Sequence, residues 1–472
     1  MRVKQRILFF YLILSLFAIT NCKRVQVSKK PNVLLICVDD LRPELKSFGA
    51  EYISSPNIDA FSEKSIKFQK HFVNAPSCGP SRYTLLTGQY GPAGNNALFT
   101  RANKINQGTK KVNKSMPEWF KKHGYTTVSV GKVSHHPGGR GGNNWNDSTK
   151  IEIPNAWDKH LMPVAEWKHP RGMMHGLANG QIRVKSSDMD VFETVEGNDN
   201  IYPDGAITDE AVKQIRMLAN NKENPFFLAF GIIKPHLPFG APKSYFDKYN
   251  DVELPEIEHP QKPKGKTTWH GSVEFMKYNR WNKNPNTDTD LRRHYAACVS
   301  YADAQVGKIL AALKSTGADK NTIVVLWGDH GWHLGEHAIW GKHSLFEESL
   351  HAPLIIHYPG MKHEGVNTDA IIETVDIFPT LCDLVEIETP EYAQGTSLKE
   401  LLVVPSADGH NAIAYNNNAS TIRTSTHRMI LHKDGFVELY DHTTIEKETK
   451  NIAKEHPELV KQLKNKLEVK LH

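Results

Sequence analysis

The sequence predicts an α/β protein: a large, mostly parallel sheet flanked by helices, followed by a small C-terminal α+β subdomain. Three observations predict it. Several short runs are almost continuously apolar and rich in β-branched residues, as strands covered on both faces are. Between two of them, Ala302, Val306, Ile309, Leu310 and Leu313 recur at the spacing of one helix face. From about Asn411 the pattern changes to short strands in quick succession that end in a single helix.

The elements are taken here in chain order. In residues 1–22, Arg2, Lys4 and Arg6 precede the apolar core Ile7–Ile19 of 13 residues. That is short of the ~20 residues that span a bilayer, so the segment predicts a signal peptide. Ile19-Thr20-Asn21-Cys22 resembles a bacterial lipobox, which would make Cys22 a lipidated N-terminus followed by the basic tether 23–30. An ordinary export signal cut nearby is the other reading. Both predict an exported protein, placed by the lipobox in the periplasm or at the outer membrane and lipid-anchored.

A catalytic domain is expected over 31–405. Its buried strands are Val33–Val38, Thr126–Val130, Phe226–Phe230, Thr322–Trp327 and Leu354–Ile356, with Ala302–Leu313 as one of the covering helices. His136–Gly205 and Glu258–Asp290 break the alternation; they read as long loops carrying Trp145, Trp157, Trp167, Trp269 and Trp281. Loops of that length carry function or lack order. Two readings of the tryptophans stand: they pin the loops to the body, or with neighbouring basic groups they grip an extended anionic substrate. In 406–472, Ile413–Tyr415, Ile422–Thr424, Arg428–His432 and Phe436–Tyr440 read as antiparallel strands and Pro457–Leu471 as a closing helix.

Composition removes several function classes. With 39% hydrophobic and 23% charged residues in 472, the chain is neither disordered nor a multi-span membrane protein. A net charge of +6 is too small for a dedicated nucleic-acid binder of this length, and five Cys cannot staple it as a disulfide scaffold. Cys37, Cys298 and Cys382 sit in apolar contexts and read as core thiols. The 24 His, more numerous than the 19 Phe, hint at a polar, metal-bearing site.

The chemistry is expected where strands end. Val33–Val38 runs into Asp39-Asp40, and Thr322–Trp327 into Gly328-Asp329-His330. Parallel strands bind ligands outside their carboxyl ends, so three carboxylates and an imidazole are expected together. Such a cluster repels itself unless a cation neutralises it, and oxygen donors favour Ca²⁺ or Mg²⁺. Between the two runs lies Cys78-Gly79-Pro80-Ser81-Arg82-Tyr83-Thr84-Leu85-Leu86-Thr87-Gly88, where Pro80 suits a first helical turn and places Cys78 at a helix N-terminus that favours anions.

That stretch matches the signature Cys-x-Pro-Ser-Arg-x-x-x-x-Thr-Gly at every fixed position, so the chain resembles the type I, formylglycine-dependent sulfatase family of the alkaline phosphatase superfamily. The resemblance runs from Asn32 to the C-terminal subdomain. Within the family, Gly131-Lys132-Val133-Ser134-His135, Lys234-Pro235-His236-Leu237-Pro238-Phe239 and Asp329–His337 followed by Lys342 are most similar to the iduronate 2-sulfatase group. Tyr301-Ala302-Asp303-Ala304-Gln305-Val306-Gly307 adds a motif read as structural.

The resemblance implies an alkaline phosphatase-like fold and a sulfate ester hydrolase. It implies one Ca²⁺ held by Asp39, Asp40, Asp329, His330 and the modified Cys78. It also implies that a maturation enzyme oxidises Cys78 to formylglycine (3-oxoalanine), an aldehyde that hydrates to a geminal diol. Arg82 would hold that group, and Lys132, His135, His236 and Lys342 would surround the sulfate. One hydroxyl would attack sulfur while His236 protonates the departing sugar oxygen. The second, deprotonated by His135, would collapse to the aldehyde and expel sulfate. Because this chain reads His135-His136-Pro137-Gly138, His136 is a rival for the role of His135. The implied substrate is a sulfated carbohydrate, such as a uronic acid-containing or algal polysaccharide of the ulvan type, and no nucleic acid. The alternatives are a phosphate or phosphonate ester hydrolase of the same superfamily and a non-catalytic binder of sulfated glycans.

Overall fold

Val33, Leu35 and Cys37 of the first strand belong to one hydrophobic core, and Leu34, Ile36 and Val38 to another. A strand in that position has no face turned to water, which is why its sequence shows no polar alternation. In the computed structural model, residues 30–108, 111–137, 151–221, 223–278 and 287–471 are described; the leader with Cys22, and Trp145 and Trp281, lie outside them.

The central sheet has eight strands: β1 (Asn32–Val38), β2 (Ile66–Phe72), β3 (Thr126–Gly131), β4 (Lys159–Leu161), β5 (Phe226–Ile232), β6 (Thr322–Gly328), β7 (Leu354–His357) and β8 (Asn367–Glu373), ordered β8-β2-β7-β6-β1-β5-β3-β4. All run parallel except β7, which is antiparallel to both β6 and β2. This corrects the reading of Leu354–Ile356 as one more parallel strand. A buried apolar run looks the same in either direction, so its pattern carries no polarity.

Four helices matter for the site. They are α1 (Cys78–Thr87), α2 (Pro203–Asn220), α3 (Thr287–Ser315) and α4 (Pro457–Leu471). The expected helix Ala302–Leu313 is the C-terminal part of α3, which extends 15 residues further back and absorbs the end of the expected loop Glu258–Asp290. In α3, Asp303 accepts hydrogen bonds from the backbone N–H groups of Asn57 (3.2 Å) and Ile58 (2.7 Å), pinning the helix that starts at Pro56. The structural reading of that motif therefore stands.

The C-terminal sheet is an antiparallel meander of β9 (Ala412–Tyr415), β10 (Ala419–Arg423), β11 (His427–His432) and β12 (Val437–Asp441). β10 begins three residues before the expected strand, and α4 coincides with the expected closing helix. Ile413, Ile422, Met429 and Leu439 pack against Leu463 and Leu467 of α4. The sheet also shares a core with the body through Phe72, Ile371, Ala412 and Ile430. The Ile413 N–H donates to Glu373 at 2.7 Å. The four described cysteines, Cys37, Cys78, Cys298 and Cys382, are buried free thiols.

Candidate active site

Four adjacent parallel strands, β6-β1-β5-β3, end in register: Val38 lies beside Gly328 and Ile232, and Gly231 beside Gly131. Their next residues are therefore delivered to one place. β1 supplies Asp39 and Asp40, β6 supplies Asp329 and His330, β3 supplies Lys132, and β5 leads through Lys234 to His236. Gly131 is needed at the end of β3. Its φ is +76°, and a Cβ there would lie 2.2 Å from the Gly231 carbonyl oxygen. Only glycine turns the chain so closely against β5.

Cys78 enters from above as the first residue of α1, with Ser77 at the N-cap. Its Sγ lies 3.3 Å from His330 Nε2, 3.3 Å from Lys342 Nζ and 3.9 Å from Asp40 Oδ1. One turn on, Arg82 is fully buried. Its Nε donates to Asp329 Oδ2 (3.0 Å), its Nη2 to Asp39 Oδ1 (2.8 Å), and its Nη1 to the carbonyls of Val133 (3.1 Å) and Lys132. Lys132 Nζ donates to Asp39 Oδ2, and Lys342 Nζ donates to Asp40 Oδ1 at 2.8 Å. The Asp40 N–H donates to Asp329 Oδ1 at 2.9 Å.

Three buried carboxylates thus meet three buried side-chain cations. The repulsion inferred from the sequence is partly met within the protein, and the charge count alone does not demand a metal. The donor atoms are more telling. His330 Nδ1 faces the Gly331 carbonyl at 2.9 Å, which can only accept, so Nδ1 carries the proton. Burial, then Lys342, hold this imidazole well below its ordinary pKa and therefore neutral. The Nε2 lone pair accordingly points at Asp40 Oδ1 (3.2 Å) and Asp329 Oδ1 (3.6 Å). Lone pair against carboxylate is repulsive unless a proton or a cation sits between them. Asp40 Oδ2 is buried with no hydrogen-bond partner. Ligand atoms of Asp39, Cys78, Asp329 and His330 all lie within 4.8 Å of one another. This set of oxygens plus one imidazole fits a hard divalent cation.

Electrostatics separates the carboxylates. Burial raises Asp40 to about 7 against the pull of Lys342, and raises Asp329 together with the charge of Asp39. Burial would raise Asp39 too, but Lys132 and Arg82 hold it well below the usual carboxylate range. Burial and then Asp39 push the Cys78 thiol well above its ordinary value. As a thiol, Cys78 is protonated and a poor nucleophile.

The structure brings together Asp39, Asp40, Cys78, Arg82, Lys132, His236, Asp329, His330 and Lys342, all expected from sequence. His236 shares a cluster with Asp39, Asp40 and Cys78. Its Nδ1 donates to the Leu237 carbonyl (2.8 Å), leaving Nε2 toward the site, and burial with Lys132 and Lys342 lowers it to about 3. His135 and its rival lie side by side, their ring centroids 4.3 Å apart. Burial, His136, Lys132 and the nearby Arg82 depress His135 while Asp39 opposes them, and its Nδ1 is buried without a hydrogen-bond partner. The His136 ring lies 5.3 Å from Phe99, and its backbone N–H donates to Glu152 at 2.5 Å.

Sequence reasoning missed three groups. Asp204 of α2 accepts from the N–H groups of Ile233 (2.8 Å) and Lys234 (2.9 Å), fixing the turn that carries His236. Lys234 Nζ donates into the same turn, to the Pro238 carbonyl at 2.5 Å. Glu274, from the 258–290 loop, lies 3.8 Å from His236, 3.8 Å from Lys342 and 3.6 Å from His343. Its position in an irregular loop left no periodic signal that could have found it.

The Sulfatase family model matches residues 31–387, and the model for the C-terminal part of N-sulphoglucosamine sulphohydrolase matches 335–472. A sulfatase of Formosa agariphila is 29% identical over 92% of this chain and 86% of its own length. Human iduronate 2-sulfatase is 30% identical over 76% of this chain and 70% of its own. Two solved structures share the fold. One, in complex with its substrate D-glucosamine-2-N,6-O-disulfate, has a TM-score of 0.70 at 22% identity and covers 93% of this chain and 97% of its own. The other, a phosphonate monoester hydrolase of Agrobacterium radiobacter, has a TM-score of 0.74 at 20% identity and covers 93% and 95%.

Proposed function

The chain belongs to the sulfatase family and is a sulfate ester hydrolase; from that premise we propose that it desulfates a carbohydrate through an aldehyde made from Cys78, beside one bound Ca²⁺. The observation that carries this reading is the seat of Cys78 at the head of α1. It is buried among Asp40, His330 and Lys342, in a field that makes an unmodified thiol inert. An aldehyde hydrate there would supply two hydroxyls where Ser supplies one and Cys none, and the second hydroxyl would allow sulfate release without attack of water on sulfur.

Asp39, Asp40, Asp329 and His330 would hold the Ca²⁺, which when bound supplies positive charge to the sulfate oxygens and acidifies the attacking hydroxyl. The chain's own residues do the rest. Lys132 and Lys342 already offset Asp39 and Asp40, so a divalent ion leaves the pocket net positive toward a sulfate monoester. Arg82 locks Asp39, Asp329 and the Lys132 turn into one rigid unit. His236 Nε2 protonates the leaving sugar oxygen. The two lysines that depress its pKa are those that would face the sulfate, so the anion relieves their repulsion and favours the protonated ring. His135, held neutral, accepts the proton in the second step. The leader supports a location outside the cytoplasm, with Cys22 as the lipid anchor in the periplasm or at the outer membrane, and the aldehyde requires a maturation enzyme acting on Cys78. No helix of the described residues is long and apolar enough to cross a membrane.

Sulfate release from sulfated oligosaccharides by the wild type and by Cys78→Ser tests the reading. Ser can take the same His330 and Lys342 partners, so the variant should fold yet lose at least about a thousandfold in turnover. Full activity of Cys78→Ser, or faster cleavage of phosphate and phosphonate monoesters by the wild type, would overturn it.

A further inference from the structure

Two cavities open on either side of His343, the residue after Lys342. The larger, about 570 Å³, is lined by Lys266, Trp269 and Lys433 among others. The smaller, about 340 Å³, reaches Ser77, the residue before Cys78. His343, Asn416 and Asn418 line both, so the two adjoin as one trough, which meets the site through Ser77 and His343, the chain neighbours of Cys78 and Lys342.

The trough is built by the C-terminal sheet. Asn416–Asn418 is the β9–β10 turn and Lys433–Gly435 the β11–β12 turn, and a meander brings these to the same end. The Lys433 N–H donates to the Asn418 carbonyl at 2.9 Å. Asn416 Nδ2 donates to the His343 carbonyl at 3.4 Å, and Asn416 Oδ1 accepts from the N–H groups of Asn418 (2.9 Å) and Ala419 (3.0 Å). Both tips are thereby tied to the segment that carries Lys342. On the opposite wall, the Trp269 indole N–H donates to the His337 carbonyl at 3.0 Å, and the Lys262 ammonium sits 3.7 Å over its ring.

The lining chemistry is one-sided. Lys266 and Lys433 are exposed cations; Asn416 keeps one amide N–H to donate, and the Asn418 amide can both donate and accept. Asp434 is the one acid in the larger cavity, and Lys266 already pairs with it. Lys433 has no carboxylate partner among the described residues. Amides and cations around a fixed indole suit a polyol bearing negative charge.

We propose that this trough is a second sugar subsite, which takes the anionic residue next to the sugar that loses its sulfate. Lys433 meets that residue's sulfate or carboxylate, and the Asn416–Asn418 turn meets its hydroxyls. The inference rests on the carbohydrate reading above and gives the C-terminal sheet a part in selecting substrate length and charge.

Binding, read without turnover, tests it. Cys78→Ala protein with Ca²⁺ is titrated calorimetrically with a monosulfated monosaccharide and with tetrasaccharides from heparin, chondroitin sulfate and carrageenan. At least one tetrasaccharide should bind tenfold or more tightly than the monosaccharide, a difference of about 1.4 kcal/mol. Lys433→Glu, an exposed substitution, should bring that ratio down toward one. No gain with length for any tetrasaccharide, or a ratio unmoved by both Lys433→Glu and Lys266→Ala, would overturn the subsite. A wild-type enzyme that releases no sulfate from a tetrasaccharide it binds would instead refute the proposed reaction and leave the subsite standing.

Discussion

Arg82→Ala removes the most heavily bonded cation of the site. The guanidinium is fully buried and spans two carboxylates, at 2.8 Å from Asp39 and 2.9–3.0 Å from Asp329. Without it Asp39 keeps Lys132, but Asp329 keeps the Asp40 N–H and its carboxyl contact with Asp39, with no cation. Breaking a buried pair while leaving the partner charge in place costs about 3–5 kcal/mol. Burial and the charge of Asp39 raise the Asp329 pKa, so once Arg82 is gone it takes up a proton more readily and holds the cost near the lower end. Arg82→Lys keeps the charge but cannot bridge both carboxylates; losing one or two charge-assisted bonds should cost about 2 kcal/mol. Denaturant unfolding followed by tryptophan fluorescence measures both. Asp329→Asn is the control. In the wild type it should destabilise, whereas in Arg82→Ala it should recover about 1–3 kcal/mol by removing a carboxyl that must otherwise stay buried as a charge or take up a proton. An Arg82→Ala cost below about 0.5 kcal/mol, or strictly additive effects of Arg82→Ala and Asp329→Asn, would refute this account of how the site is held.

Three further outcomes follow from the same geometry. His236→Ala should slow desulfation of a sugar sulfate by about 10²–10⁴-fold, yet slow 4-nitrophenyl sulfate by less than about tenfold, since a nitrophenolate leaves without an acid; equal losses on both would remove His236 from the acid role. Added Ca²⁺ at a hundred times its Kd should stabilise the protein by about 2.7 kcal/mol, with chelation abolishing this and sulfate release together; a melting curve indifferent to Ca²⁺ would contradict the metal assignment. Away from the site, His410 contacts Asp376 at 2.7 Å and Glu373 at 3.4 Å. Burial and Lys470 oppose its protonation, but the carboxylates prevail and its pKa is raised. Its stabilisation is fully present below the unfolded value of about 6.5 and is lost as pH rises through the raised folded value. His410→Ala should therefore cost about 1–2 kcal/mol at pH 5.5 and markedly less at pH 9, and an equal cost at both would sink the assignment.

The strands that position the site were legible because β1, β5 and β6 are buried on both faces and must be apolar throughout. β2 was not legible: its Lys67, Gln69 and Lys70 are only half buried, and its sequence IKFQKHF reads as no clear period. The direction of β7 was hidden for the reason given above. Asp39, Asp40, Asp329 and His330 could be found because they end buried strands, and Cys78 because it sits in a signature. The three-to-three balance of acids and cations could not be found, since Arg82, Lys132 and Lys342 come from segments distant in sequence. Glu274 and the Asn416–Lys433 trough depend on loops and hairpin tips whose meeting is decided by tertiary packing.

Peptide mass spectrometry across Cys78, on a preparation whose sulfate release has been measured, tests the central claim most directly. An active preparation should contain Cys78 as the aldehyde, with sulfur lost and oxygen gained, in proportion to its activity. A fully active preparation in which Cys78 is entirely thiol would contradict the account.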